Sequence, residues 1–121
     1  MAINIYMDLN VWQKSMDLVL RIYEITKTFP QEEKFALSNQ MRRAVVSIPS
    51  NNAEGQQRKP IKEYINFFSI SKGSNAEIQT QLLICKMLKY SNNKEIDEAF
   101  ELSNEIGKML NGLIVSLTPS T

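Results

Sequence analysis

Apolar residues recur every three or four positions through nearly the whole chain, the period of a helix face rather than the alternation of a strand. Four prolines and four glycines in 121 residues leave long segments between interruptions, and four of these read as helices. The first covers residues 11–28, with Asn10 as its cap, and ends ahead of Phe29-Pro30 because a residue before proline is pushed out of the helical region. Val11, Leu18, Ile22, Ile25 and Phe29 form one apolar stripe on it, and Trp12, Met16, Val19 and Tyr23 form a second beside the first. The second helix, residues 34–57, opens within Gln31 to Phe35, where Glu32 and Glu33 suit a positive helix end. Leu37, Met41, Ala44, Val45 and Ile48 make its core face, and Pro49 predicts a kink near Val45 or a break. The third, residues 60–90, starts on Pro60 and carries Tyr64, Phe67, Phe68 and Ile70 in several directions. After a turn at Ser91, Asn92 and Asn93, the fourth covers residues 94–117, with Ile96, Ala99, Ser103, Ile106, Leu110, Leu113 and Leu117 as a bundle seam and a frayed tail from Thr118. Short connections make sequential helices antiparallel neighbours. The expected fold is therefore all-α, an antiparallel up-down-up-down four-helix bundle in a single domain over residues 1–121.

Composition narrows the chemistry. Histidine is absent and Cys85 is the one cysteine, which removes the usual zinc sites, Ser-His-Asp and Cys-His triads and disulfide frameworks from a single chain. Cys85 lies amid Leu82, Leu83 and Leu88 and reads as a small buried hydrophobe. Gly107 and Gly112 have the spacing of a phosphate-binding loop, but Leu113 and Ile114 stand where lysine and a hydroxyl residue belong. Glu98, Glu101 and Glu105 share one face of the last helix and read as a solvated acidic edge. No segment approaches the roughly 18 to 20 apolar residues of a membrane helix, and Met1 to Asp8 lacks the layout of a signal peptide, so the expected location is cytoplasmic, with no membrane partner. The expectation is a non-enzymatic protein with no cofactor and no metal.

Charge is unevenly distributed. Net charge is −2 over residues 1–33, +6 over 34–89 and −3 over 90–121, so the middle of the chain is the candidate for contact with a polyanion. Arg43, Ser47, Asn51, Glu54 and Arg58 form one polar stripe if the second helix continues through Pro49. That stripe could face water, build a hydrogen-bonded network or hold phosphate oxygens. Glu54 four residues before Arg58 favours an internal ion pair. Arg42, about 100° round the helix from Arg43, is expected to project further outward and to form a basic surface with Lys59 and Lys62. The second stripe, Trp12, Met16, Val19 and Tyr23, exceeds what one bundle core needs and is the candidate oligomer interface.

Met41-Arg42-Arg43-Ala44, Ser47-Ile48-Pro49-Ser50-Asn51, Ala53-Glu54-Gly55 and Arg58 together resemble the signature of the 23S rRNA intervening sequence proteins, a four-helix-bundle family also called S23 ribosomal protein. Val11-Trp12-Gln13-Lys14 with Asp17-Leu18, and Lys62-Glu63-Tyr64 with Gly73-Ser74 and Ala76-Glu77, resemble the family's first and third helices, so the likeness spans about residues 8–90. The resemblance implies a homo-oligomer, a pentameric barrel in relatives, whose genes can lie within inserts in ribosomal RNA genes. Similar proteins serve diversity-generating retroelements, where a basic barrel binds nucleic acid and a reverse transcriptase. Carried over by position, the resemblance makes Arg42, Arg43 and Arg58 the basic residues and Ser47, Pro49, Asn51 and Glu54 the structural ones. Asn52 replaces a usual apolar residue, and Pro60 replaces a small hydroxyl residue, which removes a cap from the third helix. Two functions follow as expectations: binding of RNA or DNA through a basic surface formed on assembly or, alternatively, a protein-protein adaptor or scaffold with no direct nucleic-acid role.

Overall fold

In a computed structural model, residues 5–119 are described; Met1–Asn4, at the start of the stretch read against a signal peptide, and Ser120–Thr121 of the expected tail lie outside the described residues. The chain forms α1 (Asn10–Thr26), α2 (Leu37–Gln56), α3 (Ile61–Leu88) and α4 (Asn93–Leu117), with short 3-10 turns at Tyr6–Asp8 and Gln31–Glu33. At 28 residues, α3 is about 42 Å long.

The helix ends differ from the expected ones for identifiable reasons. Asn10 is the first helical residue and not the cap; extended Leu9 precedes it without a side-chain cap. At the other end α1 stops at Thr26 rather than Thr28, where the amides of Thr28 and Phe29 bond back three residues, to the carbonyls of Ile25 and Thr26, in a tightened turn. Gln31–Glu33 is a separate 3-10 turn, and Ala36, at φ −120° and ψ −105°, divides it from α2. Pro60 takes the cap position ahead of α3, and no side chain caps that end. Lys89 ends α3 in the left-handed region at φ 58°, two residues before the expected boundary. The amide of Tyr90 then bonds to the carbonyl of Cys85 at 3.1 Å and that of Lys89 to Lys86 at 3.2 Å, closing a Schellman turn. Among the four helices only α4 has a side-chain cap: Asn92, read from the sequence as part of a turn, accepts at Oδ1 from the amides of Lys94 (2.7 Å) and Glu95 (3.3 Å). The break considered at Pro49 is absent: α2 runs through Pro49, which is itself buried.

Contacts between neighbouring helices run in opposite sequence directions. Ser15 meets Asn52 while Thr26 meets Arg42, and Met41 meets Cys85 while Ser47 meets Ser74. Lys72 meets Asn111 while Lys86 meets Asp97, and Lys14 meets Glu105 while Arg21 meets Glu98. Each helix is therefore antiparallel to the next, and α4 returns to close against α1. Val11, Leu18, Ile22 and Ile25, then Met41, Val45 and Ile48, then Phe68, Ile78 and Leu82, then Ile96, Ile106 and Leu110 fill one core drawn from all four helices. Each such fully buried side chain stabilises the fold by about 1.5–3 kcal/mol relative to an exposed one.

Polar groups also enter this interior. Asn75 Nδ2 donates to the Ser103 carbonyl at 2.9 Å, and the Ser103 hydroxyl donates back to Asn75 Oδ1 at 2.8 Å. Asn52 is fully buried, and its Nδ2 donates to Ser15 Oγ at 3.2 Å. Its Oδ1 has no hydrogen-bond partner among the described residues, an unmet acceptor at the position where the resemblance calls for an apolar side chain.

Candidate functional site

The polar row on α2 divides into bound and free members. Ser47 Oγ lies 2.9 Å from Ser74 Oγ on α3, and Asn51 Nδ2 donates to the Ser47 carbonyl (2.8 Å) and hydroxyl (2.9 Å). These residues form a network that ties α2 to α3, one of the three uses the stripe allows. Arg58 pairs with Glu54 at 3.2 Å and reaches Glu63 at 3.9 Å, while its guanidinium lies 5.1 Å from the centre of the Phe67 ring.

Arg42 corrects an expectation. Instead of projecting outward, it is half-buried, donating from Nε to Thr26 Oγ1 at 2.9 Å and lying 4.5 Å from the centre of the Tyr23 ring. Its position beside the core row turns it toward α1, whose last turn supplies an aromatic face and a hydroxyl. Arg43 is the exposed member of the pair, and among the described residues Arg43, Lys59 and Lys62 make no ion pair. Lys59 and Lys62 flank the α2–α3 connection with Arg58, whereas Arg43 stands about 20 Å away along the α2 axis. Within one chain the five basic residues are therefore not one patch.

Trp12, Met16 and Val19 line a groove of about 510 Å³ between α1 and α2, completed by Val46, Pro49 and Ala53. Met16 is 41% exposed, while Trp12 and Val19 are half-buried. Tyr23 lies apart from that groove, in an adjoining depression with Arg42, Arg43, Val46 and Ser47; Val46 borders both. The α2 side of the groove escaped sequence reasoning, although Val46, Pro49 and Ala53 repeat three and four apart beside the core row. An outward row on α3 was missed likewise: Leu83, Ile84 and Met87 are exposed, Met87 at 81%.

The opposite side of the bundle is acidic and paired. Glu98 meets Arg21 at 3.2 Å and Glu105 meets Lys14 at 3.0 Å along a cleft of about 870 Å³ between α1 and α4. No group of carboxylates or thiols among the described residues could hold a metal ion. Cys85 is fully buried with its Sγ 3.5 Å from Met41 Sδ, and burial pushes its thiol up to about 12, beyond the range of a reactive thiolate. Burial also raises the Tyr64 phenol. A 2.8 Å hydrogen bond to Glu33 raises that of Tyr90. Among the described residues, no helix is long and apolar enough to cross a membrane.

Residues 7–112 match the family model described as 23S rRNA-intervening sequence protein. A solved structure from Bacteroides thetaiotaomicron, a protein with unknown function from the S23 ribosomal protein family, is 26% identical and superposes with a TM-score of 0.80, covering 86% of this chain and 97% of its own. No curated protein matches the chain.

Proposed function

This chain belongs to the 23S rRNA-intervening sequence protein family, and from that premise we propose a cytoplasmic, non-enzymatic homo-oligomer that binds RNA or DNA through a basic surface formed on assembly. The carrying observation is the apolar α1–α2 groove lying beside Arg42 and Arg43. A groove lined by Trp12, Met16 and Val46 is an assembly surface in search of apolar side chains, and the exposed α3 row of Leu83, Ile84 and Met87 offers them. Groove and row are different surfaces, so contact between copies is heterologous, the kind that builds rings when it closes. A ring, pentameric by resemblance, brings together the free cations that one chain holds apart. Multiplicity then turns Arg43, Lys59 and Lys62 into a surface whose affinity falls steeply with salt through counterion release. Arg42 and Arg58, held by neighbours, contribute field more than direct contact.

Light scattering and filter binding of an RNA pool at two salt concentrations test this. The expected result is a mass near five times 13.9 kDa, retention at low salt only, and weaker binding after joint Arg43→Ala, Lys59→Ala and Lys62→Ala replacement. A monomer, or retention indifferent to salt, overturns it.

A second reading, a protein adaptor, draws support from α4, where Glu95 and Glu101 make no ion pair among the described residues and suit a basic partner such as a reverse transcriptase. A partner recovered from cell extract after nuclease treatment favours this reading; a partner lost with the nucleic acid counts against it.

A further inference from the structure

The elbow between α1 and α2 encloses a pocket of about 220 Å³ whose lining includes Thr26, Lys27, Lys34, Ser38 and Arg42. Three cations and no carboxylate line it. Lys27 is turned aside by Glu24 at 3.0 Å, which leaves Arg42 and Lys34, whose ammonium lies 5.5 Å from the centre of the Phe35 ring, as the charges with no acidic partner among the described residues. Arg42 is held as a built-in group: its Nε is fixed by Thr26 Oγ1 and its plane by the Tyr23 ring, while its terminal nitrogens meet no acidic partner among the described residues. A fixed, half-buried guanidinium without a carboxylate is a ready partner for an anion.

The floor of the pocket is polar as well. Thr26 is 4% exposed and Ser38 7% exposed, and the Ser38 hydroxyl takes no part in the hydrogen bonds among the described residues. Ser38 is also the second residue of α2, a 20-residue helix with no side-chain cap. The Leu37 amide is taken by Glu33 Oε1 at 3.4 Å, so the next amides, of Ser38 and Asn39, are the open donors of the positive helix end.

We propose that this elbow binds a terminal phosphate, the dianion of a phosphomonoester, between Arg42, Lys34 and the hydroxyl and open amide of Ser38. The donors outnumber what the two oxygens of a carboxylate can accept and match the three free oxygens of a phosphate end. The volume lies below the roughly 300–1,000 Å³ of sites that hold a whole drug-sized ligand, so it fits a head group. An internal phosphodiester carries a single charge and only two free oxygens, fewer than these donors can meet. Arg42 thereby acquires a role different from that of Arg43, Lys59 and Lys62. The proposal stands independently of the nucleic-acid reading.

The test is a titration of the full chain with inorganic phosphate, followed by amide NMR at a pH where the probe is mainly its dianion and compared with sodium chloride at equal ionic strength. The Ser38 and Asn39 amides are expected to shift saturably with phosphate and not with chloride. Arg42→Gln should weaken the binding about tenfold or more, the loss of a charge-assisted bond. Because Arg42 also packs on Tyr23, Ser38→Asp is the second variant: a carboxylate there suits a helix start yet occupies the site, so the phosphate response should vanish with no fall in the urea midpoint. Absence of a saturable shift, or an undiminished one in both variants, overturns the proposal.

Oligonucleotides with and without a 5′-phosphate identify the source. Preference for the phosphorylated end assigns the site to a nucleic-acid terminus; equal binding with the inorganic phosphate response intact assigns it to a small phosphomonoester. Loss of all oligonucleotide binding with that response intact removes the nucleic-acid reading alone. The reverse result removes the pocket alone.

Discussion

The α2–α3 seam and the α1–α4 seam close the same bundle by different means. Along the first, small residues let the backbones approach: Ser71 donates to the Ile48 carbonyl at 3.0 Å, Ser47 meets Ser74, and Gly55 packs against Phe67 and Tyr64. Along the second, exposed ion pairs bridge an open, wet cleft. A dry seam couples every substitution to backbone position, whereas a wet one lets side chains relax into solvent. The resemblance motifs concentrate on α2 and α3, where that coupling is tight.

The largest expected effect probes dryness through Cys85, which lies on the α2–α3 seam. Folded, its thiol keeps its proton up to about pH 12, whereas the unfolded chain releases it above an ordinary 9.0. Its contribution is thus complete below pH 9.0 and lost as pH rises toward 12, with an upper limit on the order of 4 kcal/mol for three units. The raised Tyr90 phenol adds loss in the same direction. Urea midpoints measured across this range should fall more steeply for the natural chain than for Cys85→Ala; parallel curves would make the seam wet.

Next comes one substitution at two sites. A Cβ on Gly55 would stand 2.9 Å from Phe67 Cβ and 3.2 Å from the Tyr64 carbonyl, so Gly55→Ala must part α2 from α3 and should cost about 1–3 kcal/mol in urea unfolding. Nothing lies within 4 Å of the same atom on Gly73, and Gly73→Ala should gain up to about 1 kcal/mol from helix propensity. Equal effects would remove the distinction between seam and surface.

Asn52 is a dry position with an unmet demand. Asn52→Leu deletes the unpartnered Oδ1, while Ser15 keeps its 2.6 Å bond to the Val11 carbonyl, so thermal unfolding should report a gain of about 1 kcal/mol. A loss would mean that Oδ1 is satisfied in solution. Smallest of all, Lys14→Ala and Arg21→Ala should each move stability by no more than about 0.5 kcal/mol, diminishing further in high salt.

Helix identity and core were legible because three-four spacing reports directly which side chains share a face. Most residues expected at the core, from Leu18 and Ile22 to Ile106 and Leu110, are buried, whereas Phe29, Leu37, Leu113 and Leu117, at the ends of their helices or beyond them, are only half-buried. Helix ends were less legible because side-chain caps are their sequence signal, and Leu9, Ala36 and Pro60 precede helices with no such cap. The Schellman turn was hidden because lysine, rather than glycine, takes the left-handed position at residue 89. At the site, the 100° between Arg42 and Arg43 was readable, but which arginine turns inward depends on Tyr23 and Thr26, distant neighbours supplied by another helix. The Glu54–Arg58 pair was readable because both partners sit on one helix.

Pairing each helix with its sequence neighbour also orders the events of folding. Three of the four seams join segments that follow one another in the chain, across residues 27–36, 57–60 and 89–92, so they cost little loop entropy and can form early. The α1–α4 seam alone joins the two ends of the chain, and it does so with its weakest contacts. It should be the last seam to form and the first to open, with amides of α1 and α4 exchanging hydrogen before those of α2 and α3.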